Sequence, residues 1–290
     1  MRIIPATNLA CPIDGLPLQT HAHGRRCANN HSFDIAREGY CNLLLVQHKA
    51  SLDPGDSKTM VAARHRFLEG YHFVPIADFL CKSVIDCLAA KPGNATYNIV
   101  DAGCGEGYYL DRLVRQLPAQ SATPTSVSLT GIDVSKWAIR QAARRTSPVT
   151  WLVANNRHPP FLAGSVDVIA CLFGFPVWEG FRSVQVPGQH VLLVDPGPDH
   201  LLELREIIYP TVMRQPSPSL AASLAAGYRL QREHNLRFVV SLTSAQMVQD
   251  LLAMTPHAYR LTDIGRNALA ALSNLTVTVD VTFRLLILHP

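Results

Sequence analysis

The chain has no apolar run that reaches the ~18 residues of a membrane-spanning helix, although 48% of its 290 residues are hydrophobic. That apolar content is ample for a buried core and excludes general disorder. The opening stretch, MRIIPATNLACPIDG, lacks the basic-then-apolar layout of an export signal. The expectation is a cytoplasmic protein with no membrane association. Its seven cysteines then read as thiols or metal ligands rather than disulfides. Lysine is scarce: 21 of the 26 basic residues are arginine. Arginine forks onto phosphate and stacks on bases better than lysine, although GC-rich coding produces the same bias. The net charge is only +4, so no strongly basic tail dominates. Acids are missing between Val134 and Pro160, where Lys136, Arg140, Arg144, Arg145 and Arg157 accumulate. This stretch reads as a solvated basic face or as a track for phosphates. There is no internal repeat.

What is present is organised around Asn98 to Val114, NIVDAGCGEGYYLDRLV. A strand-like piece ends in Asp101, and Gly103, Gly105 and Gly107 follow at alternate positions. A helix begins near Tyr108. Glycines there allow a tight turn and close approach to a ligand, and the helix aims its free N–H groups at the same place. This is the first βα turn of an open α/β sheet, where such folds bind ligands. A short strand, Leu129 to Ile132, then leads to Asp133. The dinucleotide fingerprint differs, being G-x-G-x-x-G, and a nucleotide- or NAD-binding domain is the alternative on the turn alone. The D-x-G-x-G-x-G spacing resembles motif I of class I S-adenosylmethionine-dependent methyltransferases. That resemblance implies that Asp101, Gly103 and Gly105 hold the methionine part of the cofactor and that Asp133 holds its ribose hydroxyls.

Near the N-terminus, Cys11-x-x-Asp14 is followed by Cys27-x-x-x-His31. The layout is that of a zinc ribbon or knuckle, with Asp14 where a cysteine is usual. A carboxylate binds zinc less softly than a thiolate. His21 and His23 lie between the two pairs as substitutes. The other reading is a zincless remnant in which Cys11 and Cys27 are ordinary buried residues.

Residues 31–68 carry a denser pattern: His31, Phe33, Asp34, Ala36, Glu38, Gly39, Tyr40, Asn42, Leu43 and Leu44, then Gln47-His48-Lys49, Asp53-Pro54-Gly55-Asp56, Ala63-Arg64 and Phe67-Leu68. It is similar to the bacterial 23S rRNA guanine-N1 methyltransferases of the RlmA type. Pro196-Gly197-Pro198-x-His200-Leu201 and Met254-Thr255-Pro256 continue the likeness. The resemblance implies an α/β fold: a Rossmann-like, seven-stranded class I methyltransferase sheet with a small zinc-ribbon-like module at the N-terminus. Residues 1–55 would be the RNA-recognising zinc module and linker, and residues 56–290 the methyltransferase domain. It further implies S-adenosylmethionine and one Zn2+ on Cys11, Asp14, Cys27 and His31. Phe73 (where the family has a Tyr), Tyr109, Leu110, Asn155 (or its neighbour Asn156) and His200 would join the cofactor site. The partner would be a 23S rRNA hairpin, and the chain would pair as a homodimer.

Helices are expected from Thr59, over Pro75–Ala90, Tyr108–Gln116, Ser135–Arg145 and Ser244–Met254. Strands are expected at Ser126–Ile132, Val149–Ala154, Val166–Phe173, His190–Val194, Arg237–Leu242 and Thr276–Leu288, the last two as a terminal hairpin. Residues 210–235, rich in Pro, Ser, Ala and Arg, read as an excursion from the core. Guanine N1 carries a proton at neutral pH, so a base must remove it. Asp195, Asp199 and His200, beyond the strand at His190–Val194, are the candidates; the resemblance assigns His200 to the cofactor, and the family position matching Asp195 is not generally acidic. Phe173, Phe175 and Trp178 read as platforms for an extruded base or as core aromatics. Cys104 and Cys171 read as structural. A small-molecule methyltransferase on the same scaffold and a non-catalytic RNA-binding or assembly factor are the competing functions.

Overall fold

A computed structural model describes residues 1–49, 51–89, 96–117, 126–214 and 216–290. The N-terminal strands are short: β1 (Arg2–Ile4), β2 (Gln19–His21), β3 (Gly24–Arg26), β4 (Ser32–Asp34) and β5 (Tyr40–Asn42). Helices α1 (Lys58–Glu69) and α2 (Val74–Ala89) lead into β6 (Thr96–Ala102), α3 (Tyr108–Gln116), β7 (Ser126–Asp133), α4 (Lys136–Arg145), β8 (Thr150–Val153) and β9 (Val168–Leu172). Then come α5 (Trp178–Val184), β10 (His190–Pro196), α6 (Leu202–Ile208), α7 (Ala221–Ala225), β11 (Tyr228–Leu242), α8 (Ala245–Ala253), α9 (Asp263–Ala270) and β12 (Leu275–Leu288). The helix expected over Pro75–Ala90 is present to Ala89; Ala90 lies outside the described residues.

The main sheet runs β11-β12-β10-β9-β6-β7-β8-β5, with β1 beside the first half of β7. Strands β10, β9, β6, β7 and β8 are parallel, and β12 enters antiparallel between β10 and β11. The seven strands from β6 onward form the expected class I methyltransferase sheet. All five residues of β9 are buried, as a strand covered on both faces requires. Ser57, Ser135 and Ser244 cap α1, α4 and α8 by accepting a backbone N–H from the first turn.

One expectation is corrected and one holds. β11 begins at Tyr228 rather than Arg237, so part of the supposed excursion is strand. It is the sheet's edge, and most of Tyr228–Arg237 is exposed, so the alternation that marks a half-buried strand never appears in its sequence. β11 and β12 pair antiparallel as the expected terminal hairpin, with α8 and α9 in the connection between them.

The N-terminal segment is built into this sheet. β5 adds parallel to β8 (Tyr40 opposite Trp151), and β1 adds parallel to β7. The connection from β8 to β9 contains no helix. On that face Ala6, Leu9, Leu18, Cys41 and Leu43 pack with Val100, Ile132, Leu152 and Ile169 in one buried cluster. The segment thus fills a layer that a crossover helix would otherwise occupy.

Candidate active site and metal centre

β6 ends at Asp101, and the chain turns through Gly103, Gly105 and Gly107 at φ of 93°, 55° and 84°. At Gly103 a Cβ would meet open space, so glycine is required there for its conformation. At Gly107 a Cβ would also lie 2.7 Å from the Trp151 ring and 2.9 Å from the Ala142 Cβ. Asp133, at the end of β7, holds the turn: its Oδ2 accepts the Gly105 N–H at 3.0 Å and its Oδ1 the Ser135 N–H at 2.8 Å. The Asp101 carboxylate is buried and accepts no hydrogen bond among the described residues. Burial first, and the Asp133 charge second, push it up to about 8. Glu106, inside the turn, is anchored by Arg145 Nη2 at 2.7 Å, with His65 Nδ1 at 3.2 Å.

These groups open into a cleft of about 1280 Å3. Phe73, Asp101, Gly103, Gly105, Tyr109, Asp133, Asn155 and His200 all line it. Leu110 does not; its side chain is buried in the core beside Leu113. Phe173 takes φ 52°, rare for a residue with a Cβ, and stands 6.5 Å from Phe73 and 5.7 Å from His200, ring centre to centre. The His200 Nδ1 accepts the Asp280 N–H at 3.3 Å. Burial lowers its pKa to about 4, so the ring is neutral at physiological pH. The Asn155 Oδ1 accepts the His158 N–H at 2.8 Å.

Asp195 lines the cleft, and burial raises its carboxyl above the usual range. Asp199 is not part of the lining: Arg237 at 2.6 Å and Arg214 at 3.1 Å pair with it, and its carboxyl is lowered. Among the three aromatics, Phe175 is 86% exposed, whereas Trp178 packs on Phe181 and Tyr228. Cys104 and Cys171 are buried thiols pushed up chiefly by burial.

The cleft has further walls that sequence reasoning did not assign. Gly55 and Asp56 of the D-P-G-D stretch, with Arg64 of α1, face the glycine turn. A Cβ on Gly55 would lie 2.9 Å from Ser135, the Ser135 Oγ donates to the Asp56 carbonyl at 2.7 Å, and Asp56 pairs with Arg64. The D-P-G-D and A-R patterns were the available signal. Tyr209 and His257, 2.9 Å apart, and Arg284 close the other end; an arginine inside the apolar last strand was the only mark of the latter.

Three arginines on the basic face of α4 make ion pairs. Arg140 and Arg144 meet Glu38 at 2.6 and 3.1 Å, and Arg145 meets Glu106 and Glu69. These three arginines tie the N-terminal segment and the glycine turn to α4 rather than forming a free phosphate track.

Cys11, Asp14, Cys27 and His31 bring one ligand atom each to within 4.8 Å of one another. His31 Nδ1 lies 3.6 Å from Cys11 Sγ, 3.4 Å from Cys27 Sγ and 3.0 Å from Asp14 Oδ2, and Cys27 Sγ lies 3.4 Å from Asp14 Oδ2. A tetrahedral zinc with bonds of about 2.0–2.3 Å needs ligand-to-ligand edges of roughly 3.3–3.8 Å. The set fits one zinc ion. The Leu16 N–H, 3.1 Å from Asp14 Oδ1, orients the carboxylate. His21 and His23 lie outside the cluster.

Comparison with known proteins places this geometry. Residues 9–52 match the zinc-ribbon family described as "RlmA, N-terminal", and residues 99–185 match the one described as "Methyltransferase domain". A Micromonospora griseorubida protein named "Putative 23S rRNA (guanine-N(1)-)-methyltransferase" is 31% identical across 96% of this chain and 96% of its own. The chain belongs to the RlmA family of methyltransferases. YxjB of Bacillus subtilis (strain 168), with the same name, is 30% identical over 87% of this chain and 86% of its own. The Streptomyces fradiae 23S rRNA (guanine(748)-N(1))-methyltransferase is 29% identical over 95% of each. An RlmA-family methyltransferase uses S-adenosylmethionine. The cleft fits that cofactor on two counts: a buried carboxylate awaits a cation at Asp101, and the glycine turn leaves open space above Gly103.

Proposed function

We propose that this protein methylates N1 of a guanine in a hairpin of 23S ribosomal RNA, with S-adenosylmethionine as methyl donor. The observation that carries the reading is the convergence of Asp101, the glycine turn, Asp133 and His200 on one cleft, in a chain similar to named guanine-N1 methyltransferases over nearly its whole length. The cofactor supplies a methyl group on a positively charged sulfur, a leaving group that needs no further activation. The chain's work is to bind, orient and exclude water. Asp101 receives the cofactor's ammonium, which relieves the burial of an unpaired carboxylate. Asp133 receives the ribose hydroxyls while its other contacts hold the turn. Asn155 meets the adenine edge. Tyr109, Phe73 and neutral His200 would wall the part of the cleft that holds the cofactor, and Leu110 would support that wall from the core.

Residues 1–55, stapled by zinc on Cys11, Asp14, Cys27 and His31, recognise the RNA, and residues 56–290 carry the transfer. The target N1 lies in a Watson–Crick edge, so the guanine must be unpaired or extruded to reach the cleft. The enzyme acts in the cytoplasm, where ribosomal RNA is found, and pairs as a homodimer. Among the described residues no helix is long and apolar enough to cross a membrane. Primer extension on 23S rRNA from cells with and without the gene tests the reading, because N1 methylation stops reverse transcriptase. A stop at a hairpin guanine that disappears in the knockout is the expected result. Identical profiles with the protein expressed would refute it.

A further inference from the structure

The cofactor residues leave one charged pair in the cleft without a role. Asp195 ends β10, and Arg284 comes from the adjacent β12; both line the cleft. Their side chains are 13% and 10% exposed, and Arg284 Nη1 lies 3.6 Å from Asp195 Oδ2, beyond hydrogen-bond length. Other groups hold the guanidinium: its Nε donates to Glu233 Oε2 at 2.8 Å and its Nη1 to the Pro218 carbonyl at 2.6 Å. A guanidinium has five N–H donors, so some remain for a ligand. The Asp195 carboxylate makes no hydrogen bond among the described residues, and its acidity reflects burial and Arg284 alone. A cation is fixed beside a poorly satisfied, cleft-facing acid.

The Watson–Crick edge of guanine presents two adjacent donors, N2–H and N1–H, beside the acceptor O6. Adenine, cytosine and uracil do not offer this order. A carboxylate takes the two donors, and a guanidinium takes the acceptor. We infer that Asp195 and Arg284 read the guanine edge, with Asp195 accepting N1–H and N2–H and then the N1 proton, and Arg284 holding O6. This rests on the function proposed above and adds to it the groups that recognise and activate the base. The step balances. The N1–H bond breaks and the proton passes to the Asp195 carboxylate. The electron pair left on N1 forms the bond to the methyl carbon. The carbon–sulfur bond breaks with its pair going to sulfur, so a sulfonium cation, a carboxylate and a neutral guanine become a thioether, a carboxylic acid and a neutral methylguanine. As N1 loses its proton, charge grows on O6, where Arg284 is already placed. The raised carboxyl suits proton acceptance. The titratable groups facing Asp195 are Arg284 from β12, itself paired with Glu233 of β11, and the buried Cys171 thiol of β9, on which the Asp195 charge acts.

The test uses the full-length, zinc-loaded protein, S-adenosylmethionine and a transcript of the 23S rRNA hairpin. Single-turnover rates are measured against pH for the wild type, Asp195→Asn and Asp195→Glu, with cofactor Kd by calorimetry. Asp195→Asn is expected to lose about 100-fold or more in rate, the scale of general-base catalysis, with cofactor Kd within about threefold. Asp195→Glu should retain part of the rate and its fall at low pH. A transcript with inosine at the target, which lacks N2, should lose about tenfold in kcat/KM with the wild type, as expected for a missing donor. An Asp195→Asn rate within about threefold of wild type, or loss of cofactor binding together with activity, overturns the inference. So does equal use of inosine and guanine, a result that stands even where a variant fails to fold. A wild type that methylates no RNA refutes the proposed function itself, a different outcome from an active Asp195→Asn.

Discussion

Asp101 shows how one side chain couples stability to ligand. Its folded pKa of about 8 lies above that of an exposed aspartate. The native state therefore binds more protons than the unfolded chain between roughly pH 4 and 8. The cofactor-free protein should lose stability as pH rises through that window. Asp101→Asn should remove this part of the slope, raising the Tm of the cofactor-free protein at pH 8 while weakening S-adenosylmethionine binding; melting curves at pH 5 and 8 with and without cofactor check both. The Asp14 position is a second single-residue case. Asp14→Cys would supply the softer thiolate usual in such ribbons, and zinc should then resist a competing chelator better, read by metal release. These acids were legible because each sits in a short motif. His200 was legible only through the resemblance, and Arg284 only as an odd charge in an apolar strand, because its meaning depends on Asp195, a neighbour across the sheet rather than along the chain.

At the scale of elements, α4 and the glycine turn are joined by buried charge. Glu106 and Arg145 have side chains 0% and 7% exposed and lie 2.7 Å apart. Removing one partner leaves the other buried and unpaired, which costs about 3–5 kcal/mol. Glu106→Gln should lower stability by about 3 kcal/mol in urea unfolding and loosen cofactor binding with it. Glu38 makes an instructive contrast: its partners Arg140 and Arg144 are 42% and 53% exposed. Glu38→Ala should cost much less than Glu106→Gln in the same urea unfolding, and less still in high salt. Helix and strand positions followed closely from periodicity and capping serines. β11 did not, because an exposed edge strand has neither a buried face to pattern nor turn residues to bound it.

At the scale of the whole molecule, the zinc ribbon and the methyltransferase sheet share one apolar layer. Cys11 and Cys27 lie in the same buried cluster as Ile132, Leu152 and Ile169. Chelating zinc should therefore lower the melting temperature of the entire chain in one cooperative transition, followed by calorimetry. A separate low-temperature transition with the main one unmoved would show that the layer is not shared.

The amino-acid sequence alone determined the local chemistry of this protein: the strand, glycine turn and helix around Asp101, the acid at Asp133, and the paired ligands at 11–14 and 27–31. Each is decided by backbone preference and spacing within a few residues. Only the tertiary structure decided that the D-P-G-D loop walls the cleft beside the glycine turn, that the zinc segment fills the layer where a crossover helix would lie, and that Asp195 stands beside Arg284. These depend on which strands become neighbours, a choice made by burial of the whole sheet.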